Sequence, residues 1–296
     1  PTAVIGGQLP ELGSGARLGA SEYLIAEADE SDGSFLHLSP TVAVVTNIDP
    51  EHLDHYGDMD HLRAAFVDFV NKLPFYGRAV LCADHPEIRA LFPRISKRYV
   101  TYGLTAGEYG AADLSFSGLR SRFVALHNGK PLGEVEVAMP GAHNVQNALA
   151  VLTICESVGV PFATFQQAMA SFQGTLRRFT IRGELALPDG PVTLVDDYGH
   201  HPVEIRATLA AARRGFPGRR IVVAFQPHRY TRTRDLFAEF SQAFDDADRI
   251  VLLGIYAAGE APIPGVTTAA LAKALSERLG ERVSYIEKRA ELAQTL

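Results

Sequence analysis

Short apolar runs alternate with stretches of helical spacing along this sequence, and that rhythm restricts the chain to a small set of layered α/β folds. Residues 22–27, 41–47, 78–83 and 98–102 are compact and rich in Val, Ile, Leu or Tyr, the pattern of strands buried in a parallel sheet. Between the second and third runs, Leu62, Phe66, Phe69, Val70 and Leu73 share one face of a predicted helix. From 112 to 139 the spacing changes. Residues 114–116, 122–127 and 134–138 predict a small antiparallel meander, with Asn128-Gly129 as a tight turn. Residues 145–157 are apolar almost all round, predicting a buried helix closed by Gly159 and Pro161.

A second alternating block begins near Arg178. Predicted strands at 192–196, 220–225, 249–255 and 282–286 are separated by helical patterns at 203–213, 233–247 and 267–279. Repeated strand–helix–strand units imply right-handed crossovers and a mostly parallel, doubly wound sheet. Gln173-Gly-Thr-Leu reads as a linker, so two α/β domains in tandem are expected, over 1–175 and 176–296.

Composition removes whole classes of function. A net charge of −6 argues against a nucleic-acid coat, and no apolar stretch is long enough to span a membrane. Two cysteines, Cys82 and Cys155, lie far apart in apolar contexts. They suit buried thiols in a reducing compartment, which makes a cytoplasmic protein the expectation and excludes a disulfide framework. The first residues, Pro1-Thr-Ala-Val-Ile-Gly-Gly, have neither a basic nor an apolar leader region and read as the interior of a protein. Residues 288–296 read as an interrupted helix, and a fragment is the expectation.

In open parallel sheets ligands bind beyond the carboxyl ends of the strands, where five polar clusters fall on this reading. Two are carboxylate- and imidazole-rich: Glu27-Ala-Asp-Glu-Ser-Asp32, and residues 47–55 with His52. Such sets suit Mg²⁺ or Mn²⁺ bridging to phosphates. Asp29, Glu30 and Asp32, taken singly, read more simply as caps of a following helix, and His52 is open between a helix start and a ligand. Glu27 closes an apolar strand and needs a partner if buried. The others are Asp196-Asp-Tyr-Gly-His-His-Pro202, residues 226–234 and the Gly- and Pro-containing stretch 256–265. Arg229, Arg232 and Arg234 beside His228 and Tyr230 offer donors for a carboxylate or phosphate. Arg229 and Arg232 share a face if a helix starts there. His200-His201 with Asp196-Asp197 reads as a metal site or, more simply, as substrate hydrogen-bonding groups. Asn144 and Asn147, three apart at a helix start, can read the edge of a base; on spacing alone Asn144 serves equally as the cap. No Gly-Lys-Ser/Thr phosphate loop occurs, and residues 13–19 read as a flexible loop.

Six strings in order resemble the ATP-dependent Mur ligases. They are Glu27-Ala-Asp-Glu-Ser-Asp32, Thr46-Asn-Ile-Asp-Pro-Glu-His52, Gly141-x-His-Asn-x-x-Asn147, Arg177-Arg-Phe179, Asp196-Asp-Tyr-Gly-His-His-Pro202 and Gln226-Pro-His-Arg-Tyr-Thr-Arg232. The last two are most similar to the branch that joins L-alanine to UDP-N-acetylmuramate. The resemblance implies a truncated central ATP-binding domain over 1–175 and a Rossmann-like carboxyl-terminal ligase domain over 176–296. The family's amino-terminal UDP-sugar domain and phosphate loop are unmatched, so this stretch alone is expected to be inactive.

The resemblance also implies roles. Glu27 and His52 would hold two Mg²⁺ ions, and His143, Asn144 and Asn147 would surround adenine. Arg178 and Asp197 would reach the ATP phosphates and ribose, and Tyr198, His200, Arg229 and Arg232 the alanine. The two lobes would face one another across a gap, with UDP-N-acetylmuramate activated by ATP as an acyl phosphate. Two other readings stay open: the tripeptide-recycling Mur enzyme, or a metal-dependent phosphohydrolase that would need neither the Asn pair nor the Arg pair. A non-catalytic nucleotide-binding module is a third.

Overall fold

A computed structural model of the chain describes residues 1–7, 13–172, 174–188 and 190–292, and its contacts divide into two compact units, Pro1–Leu176 and Arg177–Leu296. In the first unit a small sheet places β1 (Thr2–Val4) between β2 (Ala16–Arg17), antiparallel to it, and β3 (Leu24–Ala26), parallel to it. This corrects two expectations. Residues 22–27 do form a strand, but Leu24 and Ile25 are 65% and 56% exposed. Apolar and β-branched side chains favour extended backbone; whether they are buried depends on what packs over them. Residues 13–19 contribute a strand rather than a loop alone, and a Cβ on Gly15 would lie 2.6 Å from the Ile5 carbonyl.

The main sheet of this unit runs in sequence order: β4 (Val42–Val45), β5 (Arg78–Cys82), β6 (Tyr99–Tyr102), β7 (Tyr109–Ser117), β8 (Arg120–His127) and β9 (Lys130–Val137). The strands are parallel from β4 to β7 and antiparallel from β7 to β9. The predicted meander is therefore continuous with the parallel sheet, and its strands are longer than predicted. The helices are α1 (Leu53–Tyr56), α2 (Met59–Asn71), α3 (Pro86–Leu91), α4 (Ala142–Ser157) and α5 (Phe162–Ser171). Asp58 caps α2 by accepting from the Asp60 and His61 amides. Leu62, Phe69 and Val70 then enter the core, as the periodicity requires. Val145, Leu149 and Leu152 of α4 are fully buried. The sequence gives no expectation for α5: Pro161, read as a stop, is its N-cap, and Phe165 and Met169 seal it to the core.

In the second unit β10 (Thr180–Leu187) and β11 (Gly190–Asp196) form an antiparallel pair, and β12 (Val222–Phe225), β13 (Arg249–Leu253) and β14 (Val283–Ile286) form a parallel sheet. The run 192–196 was expected in the parallel sheet; it pairs instead with β10, whose Arg182, Gly183 and Glu184 break any apolar signature. The helices are α6 (Pro202–Gly215), α7 (Tyr230–Asp235), α8 (Phe237–Phe240) and α9 (Thr268–Leu279). The single helix expected over 233–247 is broken at Leu236, whose φ of −112° and ψ of 24° leave the helical region. Burial survives the break, because Leu236, Phe240, Ala243 and Phe244 all still pack in one core with Phe225 and Leu275.

Gln173 of the expected linker and residues 293–296 of the expected terminal helix lie outside the described residues. Just before the latter is a single helical turn, Arg289–Glu291. Among the described residues no helix is long and apolar enough to cross a membrane.

Candidate active site

In the first unit the polar residues gather past the carboxyl ends of the strands. The segment after β4 carries the chain to His52, which adopts a left-handed conformation (φ 56°, ψ 28°) at the start of α1. A non-glycine residue holds that conformation only where its surroundings require it. His52 Nε2 lies 3.7 Å from Glu30 Oε1, and Tyr56 Oη donates to the Glu30 carbonyl at 2.5 Å. Glu30, Glu51 and His52 each offer a ligand atom, all within 4.8 Å of one another. Two carboxylates and one imidazole in that space suit a divalent cation, with hard oxygen donors in the majority.

Glu27 is placed differently from the expectation. It is exposed at the end of β3, so no burial cost applies to it, and its carboxylate accepts from the Gly6 amide at 2.6 Å. It is not among the three clustered ligands, though the three-residue span to Glu30 limits the backbone separation to about 10 Å.

The helix α4 removes the cap reading of Asn144. Gly141 is its N-cap, with φ 100° and no side-chain cap bond, so Asn144 lies inside the first turn. Its Nδ2 donates to the Pro140 carbonyl at 2.7 Å. That bond fixes the amide's orientation, leaving Oδ1 as the acceptor for an outside donor. Asn147 is exposed one turn on, and His143 precedes the pair.

The second unit builds a denser cluster. Asp197 accepts from the Phe179 amide at 2.8 Å and the Gly199 amide at 2.6 Å, so it ties the chain after Arg178 to the loop before α6. A Cβ on Gly199 would lie 2.7 Å from Asp197 Oδ1, so a larger residue here would have to shift the Asp197 carboxylate. The Arg177 guanidinium stands 4.5 Å from the Tyr198 ring centre, a cation–π arrangement. Tyr198, His200, His228 and Tyr256 form a chain of rings with centroid separations of 5.1, 6.2 and 5.5 Å. Burial, with the positive charges of Arg232, His200 and Arg229, holds His228 below the usual imidazole range, so it is neutral near pH 7.

Arg229 and Arg232 both belong to this cluster, although Arg229 precedes α7 as its N-cap rather than sharing a helical face. Its φ of 72° is held by two bonds: its amide donates to the Tyr256 carbonyl at 2.8 Å, and Thr233 Oγ1 donates to its carbonyl at 2.8 Å. Among the described residues the exposed Arg229 guanidinium forms no ion pair, although its charge helps hold the Glu260 carboxyl below the usual range, while Arg232 Nη1 lies 3.3 Å from His228 Nδ1. Asp196 is engaged by Arg182, and His201 caps α6, its Nδ1 accepting from the Val203 amide. Among the described residues, Asp196, Asp197, His200 and His201 form no cluster of metal-ligand geometry.

Two residues of this unit carry structural work that sequence reasoning missed. Glu204 Oε1 accepts from Arg178 Nη1 at 2.7 Å, and its Oε2 accepts from the His200 and His201 amides at 2.9 and 3.1 Å. Burial alone would raise this carboxyl, but the His200 amide and Arg178 outweigh it and pull the pKa down to about 2. Glu260 accepts from Thr231 N and Thr231 Oγ1 at 3.0 and 2.6 Å, holding the first turn of α7. The signal for Glu204 was present: a glutamate three residues after the cap of α6 is a capping box.

Comparison with known proteins decides the family. Residues 8–155 match the model of the Mur ligase middle domain, and residues 177–296 that of the Mur ligase, glutamate ligase domain. The chain belongs to the Mur ligases. It is 54% identical over 299 aligned residues to a UDP-N-acetylmuramate–L-alanine ligase of Sorangium cellulosum, and 53% identical over 297 to one of Myxococcus xanthus. Both alignments cover the whole chain, which spans 63% and 62% of those relatives. Among solved structures, UDP-N-acetylmuramate-alanine ligase MurC of Thermotoga maritima superposes with a TM-score of 0.80 at 30% identity, covering 100% of this chain and 62% of that one. The mixed α/β architecture of this Mur ligase chain, with mostly parallel strands in its principal sheets, is that of the relatives' middle and carboxyl-terminal domains.

Proposed function

We propose that this sequence serves an ADP-forming ligase that joins L-alanine to UDP-N-acetylmuramate in the making of peptidoglycan precursors, within the reducing cytoplasm that its free thiols suit. The observation that carries the reading is the pairing of chemistries. The first unit presents carboxylates and an imidazole grouped as cation ligands and an oriented amide, and the second presents an exposed guanidinium, Arg229, that forms no ion pair among the described residues. The substrate assignment rests on the relatives of about 54% identity.

In the proposed reaction the carboxylate of UDP-N-acetylmuramate attacks the γ-phosphorus of ATP, and the bond to the β–γ bridging oxygen breaks to release ADP. The alanine amine then attacks the acyl phosphate carbonyl, phosphate leaves, and the amine loses a proton. His52, Glu30 and Glu51, with Glu27 nearby in sequence, would hold Mg²⁺. Bound there, the ion would offset the repulsion between an anionic nucleophile and a triphosphate. Asn144 Oδ1 accepts from the exocyclic amine of adenine, with Asn147 and His143 beside it. Arg178 and Asp197 serve the phosphates and ribose, Arg178 donating and Asp197 accepting. Arg229 and Arg232 hold the alanine carboxylate, so that binding fixes the direction of the amine. Tyr198 and His200 line the same ring cluster, and neutral His228 adds no second positive charge to compete for Arg232's partner.

Isothermal titration of L-alanine into wild type and Arg229→Ala, in the presence of a non-hydrolysable ATP analogue, UDP-N-acetylmuramate and Mg²⁺, tests the assignment. Alanine binding that survives the substitution unchanged would remove Arg229 from the site.

A further inference from the structure

Asp84 stands at the carboxyl end of β5, where the chain turns toward α3, and the proposed chemistry has no use for it. Yet it is among the most heavily hydrogen-bonded side chains of the first unit. Its Oδ1 accepts from the Thr105 amide at 2.9 Å, the Thr105 hydroxyl at 2.5 Å and the Ala106 amide at 3.1 Å. Its Oδ2 accepts from the Leu104 amide at 2.5 Å and from Gln146 Nε2 at 2.7 Å. Three successive backbone N–H groups of the β6–β7 connection thus form a nest around one carboxylate. The fit is close: a Cβ on Gly103 would lie 2.6 Å from Asp84 Oδ1. Burial would raise this carboxyl, but the donated bonds outweigh it and hold it below the usual carboxylate range, so it is ionised at neutral pH.

The fifth donor gives the cluster a direction. Gln146 lies on α4 between Asn144 and Asn147. Asn144 and Asn147 share one face of the helix, and Gln146 projects from another. Gly141 supplies no side-chain cap to α4, and two side-chain bonds are seen at its start: Asn144 to the Pro140 carbonyl, and Gln146 to Asp84. One bond acts along the chain and the other across it, to a carboxylate itself fixed by a loop. Together they set both the rotation and the depth of the first turn.

We infer that Asp84 is a positioning residue for nucleobase recognition, acting through Gln146 to hold the first turn of α4 at the rotation that presents Asn144 and Asn147. This rests on the proposal that those amides meet adenine. Asp84 itself touches no substrate. Losing a hydrogen bond to a charged group shifts a local opening equilibrium by about tenfold or more, and that is the size of effect to look for.

The experiment is amide hydrogen exchange on the chain, wild type against Gln146→Leu, Asp84→Asn and the reversed pair Asp84→Asn with Gln146→Glu, each with and without ADP. Both single variants are expected to speed exchange of the 145–149 amides about tenfold, while 152–157 and the second unit stay unchanged. In the reversed pair the asparagine amide donates to the glutamate at the cost of the acceptor for the Leu104 amide, and recovery of part of the protection at 145–149 is expected. Gln146→Leu keeps the loop nest intact, so it guards against a folding defect in the Asp84 variants. Unchanged exchange at 145–149 in Gln146→Leu, or failure of the reversed pair to recover protection there, overturns the inference. The adenine assignment is read separately from ADP-induced protection at 142–149 in a wild-type polypeptide that carries these residues at the length of its relatives. Its absence would refute that assignment, while the exchange data would still decide whether Asp84 holds the helix.

Discussion

Glu204 offers a perturbation whose size follows from the structure. Its carboxylate joins Arg178 to the backbone of His200 and His201 and is pulled from 4.5 to about 2. A shift of that size corresponds to a ceiling of about 3 kcal/mol. The side chain is 30% exposed, and solvent screening brings the expected contribution to about 1–2 kcal/mol. The folded-state pKa is depressed, so the stabilisation is complete above about pH 4.5 and is lost as pH falls from there toward about 2. Glu204→Gln keeps an oxygen for the two backbone amides and loses the charge that pairs Arg178. Urea unfolding followed by circular dichroism should give a variant about 1–2 kcal/mol less stable at about pH 7, the gap narrowing once pH falls below about 4.5. Because Arg178 and His200 lose a common anchor, the apparent KM values for ATP and alanine should both rise. A stability gap that stays constant from about pH 7 to about pH 3 would refute the reasoning, because a pH-independent loss is not the loss of an ionised partner.

Other expectations follow from the same geometry. Arg229→Ala should raise the apparent KM for L-alanine by about 10–100-fold, the worth of one or two charged hydrogen bonds; an unchanged KM in steady-state kinetics would contradict the clamp. Asn144→Leu should erode the preference for ATP over GTP by about tenfold in competition assays, since the oriented acceptor is lost. His52→Ala should raise the Mg²⁺ concentration for half-maximal activity at least about tenfold, and chelation by EDTA should abolish ADP release until Mg²⁺ is restored. Phe244→Ala, at a fully buried ring 5.3 Å from Phe225, should destabilise the second unit by about 3–5 kcal/mol in calorimetry; a loss under about 1 kcal/mol would mean that this core repacks.

Much of the architecture is written in the periodicity, and the exceptions have physical causes. The runs at 78–83 and 249–255 became parallel strands covered on both faces, and those at 41–47, 98–102 and 220–225 became parallel strands that keep Val44, Tyr99 and Val222 exposed. The run at 22–27 carries the same composition without the cover, so pattern gave the strand and misjudged its burial. Helix α5 escaped because Pro161 marks a start as readily as a stop. In the site, residue type was legible and partnership was not. The Asn and Arg groups stand out in the sequence, whereas Glu260 and Asp84 act through backbone amides that only folding brings near. The grouping of Glu30 and Glu51 with His52 is of the same kind, since only the folded loops bring residues 30 and 51 together.

Ligase chemistry at this site is tested most directly by coupled measurement of ADP and phosphate release from a polypeptide carrying these 296 residues at the length of its relatives. With ATP and Mg²⁺ present, ADP should form only when UDP-N-acetylmuramate and L-alanine are both supplied, one equivalent for each amide bond made. Phosphate released from ATP at the same rate with water as the only acceptor would contradict the account.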